Sequence, residues 1–308
     1  MTLDMLLELF FSTLNILPIY LIAALGGYLS QRVGVYDISM EGNMTLGCTL
    51  GLIGFFLTGS PWVGLLLGFL GGVGFGMILS TAAVRFKLDQ IVVGFGLWYL
   101  GMGLASFLFK ALIPEDESST GFGGIGEALG LGGQSGILGD FLDLDAIFFI
   151  AMALLIAIIF IINRTRLGLF LRAAGENPSV VDAAGAKLSS IRQISVTVGA
   201  GLVGIAGAYL AVDFLQGFTQ GMVAGRGWIA FMIIIFARWK PLNILWGCLL
   251  FAGINGLQIR LQVLGVEVPA DLLSALPYVV TLIALVLIMS QAGKSRYPSA
   301  LGASYNRE

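Results

Sequence analysis

Nine apolar stretches constrain this chain more than anything else in it. They lie near residues 10–30, 42–58, 62–84, 91–113, 146–162, 193–214, 228–237, 241–259 and 272–290. Several approach or exceed the roughly 18 apolar residues that cross a bilayer. Composition agrees, with 57% hydrophobic residues, 11% charged residues and a mean hydropathy of +0.95. The expected fold is an all-α polytopic membrane protein with about nine transmembrane spans, a single transmembrane domain over residues 1–308. The seventh stretch has only ten clean residues, too short to cross as a helix at about 1.5 Å per residue. Either it begins earlier, near Phe218, or it is a broken helix beside a cavity.

Basic residues set the expected orientation. With the N-terminus outside, the inner segments hold Arg32, Arg85, Lys87, Arg164, Arg166, Arg172, Lys187, Arg192, Arg238, Lys240, Lys294, Arg296 and Arg307, thirteen of sixteen. Lys110, Arg226 and Arg260 fall outside or at an outer edge. The C-terminus is then cytoplasmic, and residues 114–145 form an extracellular loop. That loop carries seven acidic residues, nine glycines and no basic one. It reads as a solvated loop, or as a docking surface whose one-signed field steers a partner. Asp4 and Glu8, with no Lys or Arg beside them, are unlike the basic start of a signal peptide.

Histidine is absent, which removes histidine-based hydrolysis, zinc helices and proton relays. Cys48 and Cys248 sit in separate apolar spans and make no metal pattern. A net charge of −2 gives no sign of a nucleic-acid partner. Glycines number 44, about twice the usual share of roughly 7%. Gly64, Gly68, Gly72 and Gly76 recur every fourth residue and line one helix face, as do Ala200, Gly204 and Ala208; both predict close helix packing.

Polar groups inside such spans call for a reason. Asp37, Ser39, Glu41 and Asn43 form one group. If helical, Asp37 and Glu41 stand one turn apart, either answered by Arg32 or an inner-loop base, or placed at the transport pathway or its gate. Asp213, Gln216, Arg226 and Trp228 form a second group around the glycine-broken GFTQGMVAGRGW. An Arg beside an aromatic there could hold a polar solute, or anchor the outer interface. Asn15 and Asn255 predict interhelical hydrogen bonds, Pro18 and Pro277 predict kinks, and Trp239-Lys240-Pro241 predicts an inner turn.

The longest polar cytoplasmic segment, Asn163–Arg192, splits by capping chemistry. Arg166 to Ala174 predicts a short helix ended by Gly175. Asn177 and Pro178 begin a second, ended by Gly185. A helix of about seven residues is unstable alone, and Val180, Val181, Ala183 and Ala184 offer a small apolar face that needs a partner protein.

These residues carry a resemblance. TRLGLFLRAAGENPSVVDAAG resembles the coupling loop of ATP-binding-cassette importer permeases in the branch serving simple sugars, nucleosides and branched-chain amino acids. The matching positions are Thr165, Arg166, Gly168, Arg172, Ala173, Gly175, Glu176, Asn177, Pro178, Ala183, Ala184 and Gly185; Ala186-Lys187 departs from the aliphatic residue common there. GVYDISMEGNMTLG, from Gly34 to Gly47, resembles a second motif of the family, with Asp37 for the usual Asn and Ser39 for Gly. GRGWIAFMIIIFARWKP, from Gly225 to Pro241, resembles a third. The glutamate-bearing first motif is closest in texture to nucleoside-importer permeases, while Asp37-Ile38-Ser39 echoes the ribose type.

The resemblance implies a homo- or heterodimeric permease in the plasma membrane with inverted repeats. It implies an ATPase subunit at Asn177–Gly185 and an extracytoplasmic binding protein delivering a nucleoside or related ribose-containing or simple-sugar solute. Contact with the ATPase would involve Arg172, Gly175, Glu176, Asn177, Pro178, Val180, Val181, Ala183, Ala184 and Gly185. No cofactor is expected on this chain: it lacks a GxxxxGK[ST] phosphate loop, so ATP and Mg belong on the partner. Two other classes compete. A proton-coupled secondary transporter would use Asp37, Glu41 or Asp213, but leaves the coupling segment unexplained. An intramembrane hydrolase would need a Ser–Lys pair, with only Lys110 near a span.

Overall fold

A computed structural model describes residues 3–113, 118–122, 141, 144–263, 275–290, 297–303 and 305. The described residues are helical, with no strand among them. Five helices open the fold: α1 (Leu3–Arg32), α2 (Met40–Thr58), α3 (Pro61–Ser80), α4 (Gln90–Leu112) and α5 (Ala146–Arg164). Two short ones follow, α6 (Arg166–Glu176) and α7 (Pro178–Ala183). The chain continues through α8 (Leu188–Tyr209), α9 (Arg226–Phe236), α10 (Pro241–Val263) and α11 (Leu276–Ser290). α3 and α8 each end in a wider turn, Thr81–Arg85 and Leu210–Phe214. Seven of the helices, among the described residues, are long and apolar enough to cross a membrane.

α1, α2, α3 and α8 make the centre. α8 packs on α3, α1 and α2, and α1 also meets α10, α9 and α5. The glycine ridge of α3 is the reason its neighbours come so close. A methyl group added at Gly68 would lie 2.6 Å from the Ala208 side chain, and one at Gly76 would lie 2.7 Å from that of Ala200. The two small-residue faces read separately from sequence are therefore each other's partner. Most of the acidic loop, the first residues of the ninth stretch and Lys294, Arg296 and Arg307 lie outside the described residues.

The seventh stretch is a broken helix. α9 has 11 residues, about 16 Å of rise, roughly half the ~30 Å hydrocarbon thickness. α8 ends beside the middle of α1, where the Tyr209 hydroxyl donates to the Asn15 carbonyl. α9 ends beside the C-terminal end of α1, where Trp239 Nε1 donates to Gln31 Oε1 at 2.9 Å. The irregular residues 215–225 connect α8 to α9. Arg238 and Trp239 take positive φ in the turn before Pro241, so a turn does form at Trp239-Lys240-Pro241.

Other expectations change. Pro18 lies within an α1 that stays helical from Leu3 to Arg32. Pro277 is the second residue of α11, a first-turn position where the missing N–H leaves no helical bond unmade, so it marks no kink. Asn255 donates to the Tyr20 hydroxyl between α10 and α1 at 3.3 Å. Cys48 and Cys248 are buried and unpaired with each other.

Candidate functional site

The first four amides of any helix need outside partners, and α9 starts inside the bundle where water cannot supply them. Its own capping position is Gly225, which has no side chain to offer and takes φ 77°. Glu41 on α2 answers instead. Its Oε1 accepts the Gly225 N–H at 2.8 Å, and its Oε2 accepts the Gly227 N–H at 2.8 Å and the Trp228 N–H at 3.3 Å. The residue is only 8% exposed. Three N–H donors and the positive end of a helix dipole replace the lost hydration of the carboxylate. Glycine is required at 227 by the closeness of this joint, since a Cβ there would stand 2.6 Å from Glu41 Cα. Arg226 lies within electrostatic reach of Glu41 and folds back onto the Met222 and Val223 carbonyls at 3.0 and 3.2 Å. The glutamate motif and the GRGW motif, 184 residues apart between Glu41 and Gly225, are thus one structure.

Residues 37–41 are not helical throughout, which corrects the one-turn pairing of Asp37 with Glu41. α2 begins only at Met40. Fully buried Asp37 sits in the preceding turn, where its Oδ1 accepts from the Ser39 hydroxyl at 2.6 Å and the Ser39 amide at 3.2 Å. Burial pushes its carboxyl above the ordinary range, and the two Ser39 bonds offset part of that rise. Arg32 does not answer either carboxylate of this motif; it pairs with Glu176 at 3.3 Å. Asn43 donates from Nδ2 to the Ala200 carbonyl of α8 at 2.8 Å.

Beside this joint stands an aromatic group that sequence reading passed over. Trp98 meets Trp228 edge to face at 5.3 Å, and Phe95 approaches both, at 5.8 and 6.1 Å. Tyr99 lies on Trp98 at 4.7 Å. Phe95 and Tyr99 are 40% and 66% exposed, and the indole N–H of Trp98 is buried without a partner. The signal was present in α4: positions 95, 98 and 99 fall at helical spacing on one face.

Asp213 and Gln216 have different partners from Arg226 and Trp228, so the second sequence cluster does not stay together. Asp213 accepts the Phe122 amide at 2.5 Å, and the Gln216 carbonyl accepts the Ser119 amide at 3.1 Å. Both residues hold the segment 118–122 to the end of α8.

On the Arg32 side, α6 and α7 form the predicted pair with two differences. α6 runs through Gly175 to Glu176, so Gly175 is no helix terminator. It lies flat against the Arg32 carbonyl and its carbonyl accepts the Ala300 N–H at 2.8 Å. Asn177 places Oδ1 on the Ser179 hydroxyl at 2.6 Å and caps no amide of α7. Gly185 does end α7, with φ 78°. Val180 is 53% exposed and Val181 is 1% exposed, so only one of the two valines is open to a partner. Glu176, Asn177, Ala183, Ala184 and Gly185 are also exposed, while Arg172 and Pro178 are half-buried.

Comparison with known proteins agrees with this arrangement. The family described as branched-chain amino acid transport system / permease component matches residues 9–289. A putative glucose ABC transporter permease protein, TsgC13 of Haloferax volcanii, is 30% identical, covering 96% of this chain and 97% of that protein. The nucleoside ABC transporter permease protein NupC of Lactococcus lactis is 30% identical over 92% of this chain and 91% of its own length. The guanosine ABC transporter permease protein NupQ of Bacillus subtilis is 30% identical over 92% of each. A solved inward-facing putative metal-chelate type ABC transporter shares the fold, with TM-score 0.55, 16% identity and coverage of 91% of this chain and 85% of that one. Motif, fold and likeness converge: the chain belongs to the family of branched-chain amino acid transport system permease components, and is a multi-pass plasma-membrane permease of the ATP-binding-cassette type.

Proposed function

We propose that this permease imports a nucleoside or a related ribose-containing or simple-sugar solute. The observation that carries the solute class is the group Phe95, Trp98, Tyr99 and Trp228 beside the Glu41 joint. Flat aromatic faces stack with nucleobases, at about 1–3 kcal/mol per base, and an unpartnered indole N–H offers one directional bond to a hydroxyl or ring acceptor. Relatives whose printed names include nucleoside, guanosine and glucose point the same way.

In this reading the chain crosses the membrane nine times, its seventh pass made by residues 215–225 plus α9, with the N-terminus outside. A second permease subunit faces it, an extracytoplasmic binding protein delivers solute, and an ATPase subunit docks on α6–α7. That ATPase holds ATP and Mg and performs the hydrolysis. Glu41, Arg226 and Trp228, with Asp37, Ser39 and Asn43 behind them, position the pathway wall.

Reconstitution with the ATPase and binding protein tests it. Guanosine or uridine uptake should require ATP and survive a proton ionophore, with ribose and glucose as competitors. Uptake that persists without nucleotide and stops when the proton gradient collapses would favour a secondary transporter and sink this reading.

A further inference from the structure

The segment after α11 does something that neither the family motifs nor the coupling reading assigns. Residues 297–303 and 305 lie across the Arg32 end of the bundle, in a seam between α6 and the turn that joins α1 to α2. On one side the Ala300 N–H donates to the Gly175 carbonyl at 2.8 Å, and the Ser299 amide and hydroxyl both reach Glu176 Oε2 at 3.4 Å. On the other side the Gly302 N–H donates to the Gly34 carbonyl at 3.0 Å. Gly302 has φ 79°, and a side chain there would begin 3.0 Å from the Tyr36 ring.

Arg192 at the start of α8 closes the seam. It is 3% exposed, and its guanidinium donates to the Ala303 carbonyl at 3.2 Å and the Ala174 carbonyl at 3.3 Å. A buried cation needs such acceptors to offset lost hydration, and here one acceptor belongs to the segment and the other to α6. Tyr305 then joins the apolar cluster that includes Val33, Val35, Ala174 and Val181.

The turn held on the far side leads directly to the membrane joint. The Tyr36 N–H donates to Gln90 Oε1 at the start of α4 at 2.8 Å, and its ring approaches Phe231 of α9 at 6.4 Å. One residue later comes buried Asp37, and four after that Glu41. Two backbone hydrogen bonds, Ala300 to Gly175 and Gly302 to Gly34, thus tie α6 to the turn whose chain runs on through Tyr36 and Asp37 to Glu41, the residue that caps α9.

We propose that residues 297–305 act as a clasp, carrying movement of α6–α7 to the 33–36 turn and so to the Glu41 joint. The inference rests on α6–α7 being the ATPase contact. Gly302, Ala300 and Arg192 are positioning residues in it, and none touches solute.

The test uses the permease reconstituted with its ATPase and binding protein. Deleting residues 297–308 is expected to leave ATP hydrolysis within about twofold while solute moved per ATP falls roughly tenfold, the scale of an ordinary coupling free energy. The ratio is read on complex purified through the permease, so that unassembled ATPase adds no uncoupled hydrolysis and a mere loss of folded protein does not move it. Gly302→Val keeps the chain length and forces the segment off Tyr36, and it should lower the same ratio; it decides the matter if the deletion fails to assemble. An unchanged ratio in an assembled variant overturns the clasp and leaves the permease reading standing. No ATP-driven uptake by the unsubstituted complex would overturn both.

Discussion

Two glutamates organise the two working ends of this molecule, and they do so under opposite conditions. Glu41 is 8% exposed and accepts three amide N–H groups at the start of α9. Glu176 has a side chain 45% exposed and is shared between Arg32 at 3.3 Å and the Ser299 amide and hydroxyl at 3.4 Å. Low dielectric makes the first set of bonds strong and makes any unmatched donor costly. Water and salt weaken the second. A helix that begins against buried side chains needs a permanent anchor, while a surface proposed to meet a moving partner needs contacts that can adjust. The same side chain serves both because its surroundings differ.

Glu41→Ala should break the comparison most severely. Three amides lose their acceptor, the buried Gly227 amide at about 1–3 kcal/mol and the part-buried Gly225 and Trp228 amides at less. Thermal unfolding in detergent should show a large fall in Tm, whereas Glu41→Gln, which keeps one acceptor oxygen, should fall less. A Tm for the alanine variant equal to the unsubstituted protein would mean that water or lipid headgroups can cap α9.

Val181→Asp comes next. A carboxylate forced into the apolar cluster at a position 1% exposed should destabilise by about 3 kcal/mol and lower the yield of folded permease. Its neighbour sharpens the contrast. Val180→Asp, at a position 53% exposed, should leave Tm nearly unchanged while reducing co-purification of the ATPase and ATP-driven uptake. Equal ATPase recovery from the two chains would remove α7 from the contact.

Glu176→Ala should have the smallest effect on stability, about 1 kcal/mol or less for an exposed pair. Its signature is in coupling. Solute moved per ATP should fall modestly, and added salt should produce a similar fall in the unsubstituted protein but little further change in the variant. A salt response identical in both chains would show that the Arg32–Glu176 pair carries none of the effect.

Local chemistry made much of this architecture readable. The four-residue recurrence from Gly64 to Gly76 announced a packing ridge, and its partner was the Ala200–Gly204–Ala208 face of α8. The GENP segment announced two short helices. The glycines around 217–227 announced a broken helix, and α9 is one. The errors arose where a residue's role depends on something distant in sequence. Gly175 looked like a helix terminator because glycine usually ends helices, but here it admits the Arg32 backbone. Val181 looked like half of a docking face until the cluster beneath α7 claimed it. Asp37 and Glu41 would have stood one turn apart if helical, and the turn before Met40 removes that spacing.

By itself, the sequence determined that this is a helical membrane protein, that its polar segment 163–192 holds two short helices, and where a helix had to break. Those are properties of composition, periodicity and capping, each settled within a few residues of chain. Tertiary structure alone decided that Glu41 caps α9, that Phe95, Trp98, Tyr99 and Trp228 gather beside it, and that residues 297–303 fill the seam above Arg192. Buried amides, carboxylates and guanidinium groups must find partners wherever the fold brings them, and no short-range rule names a partner 184 residues away.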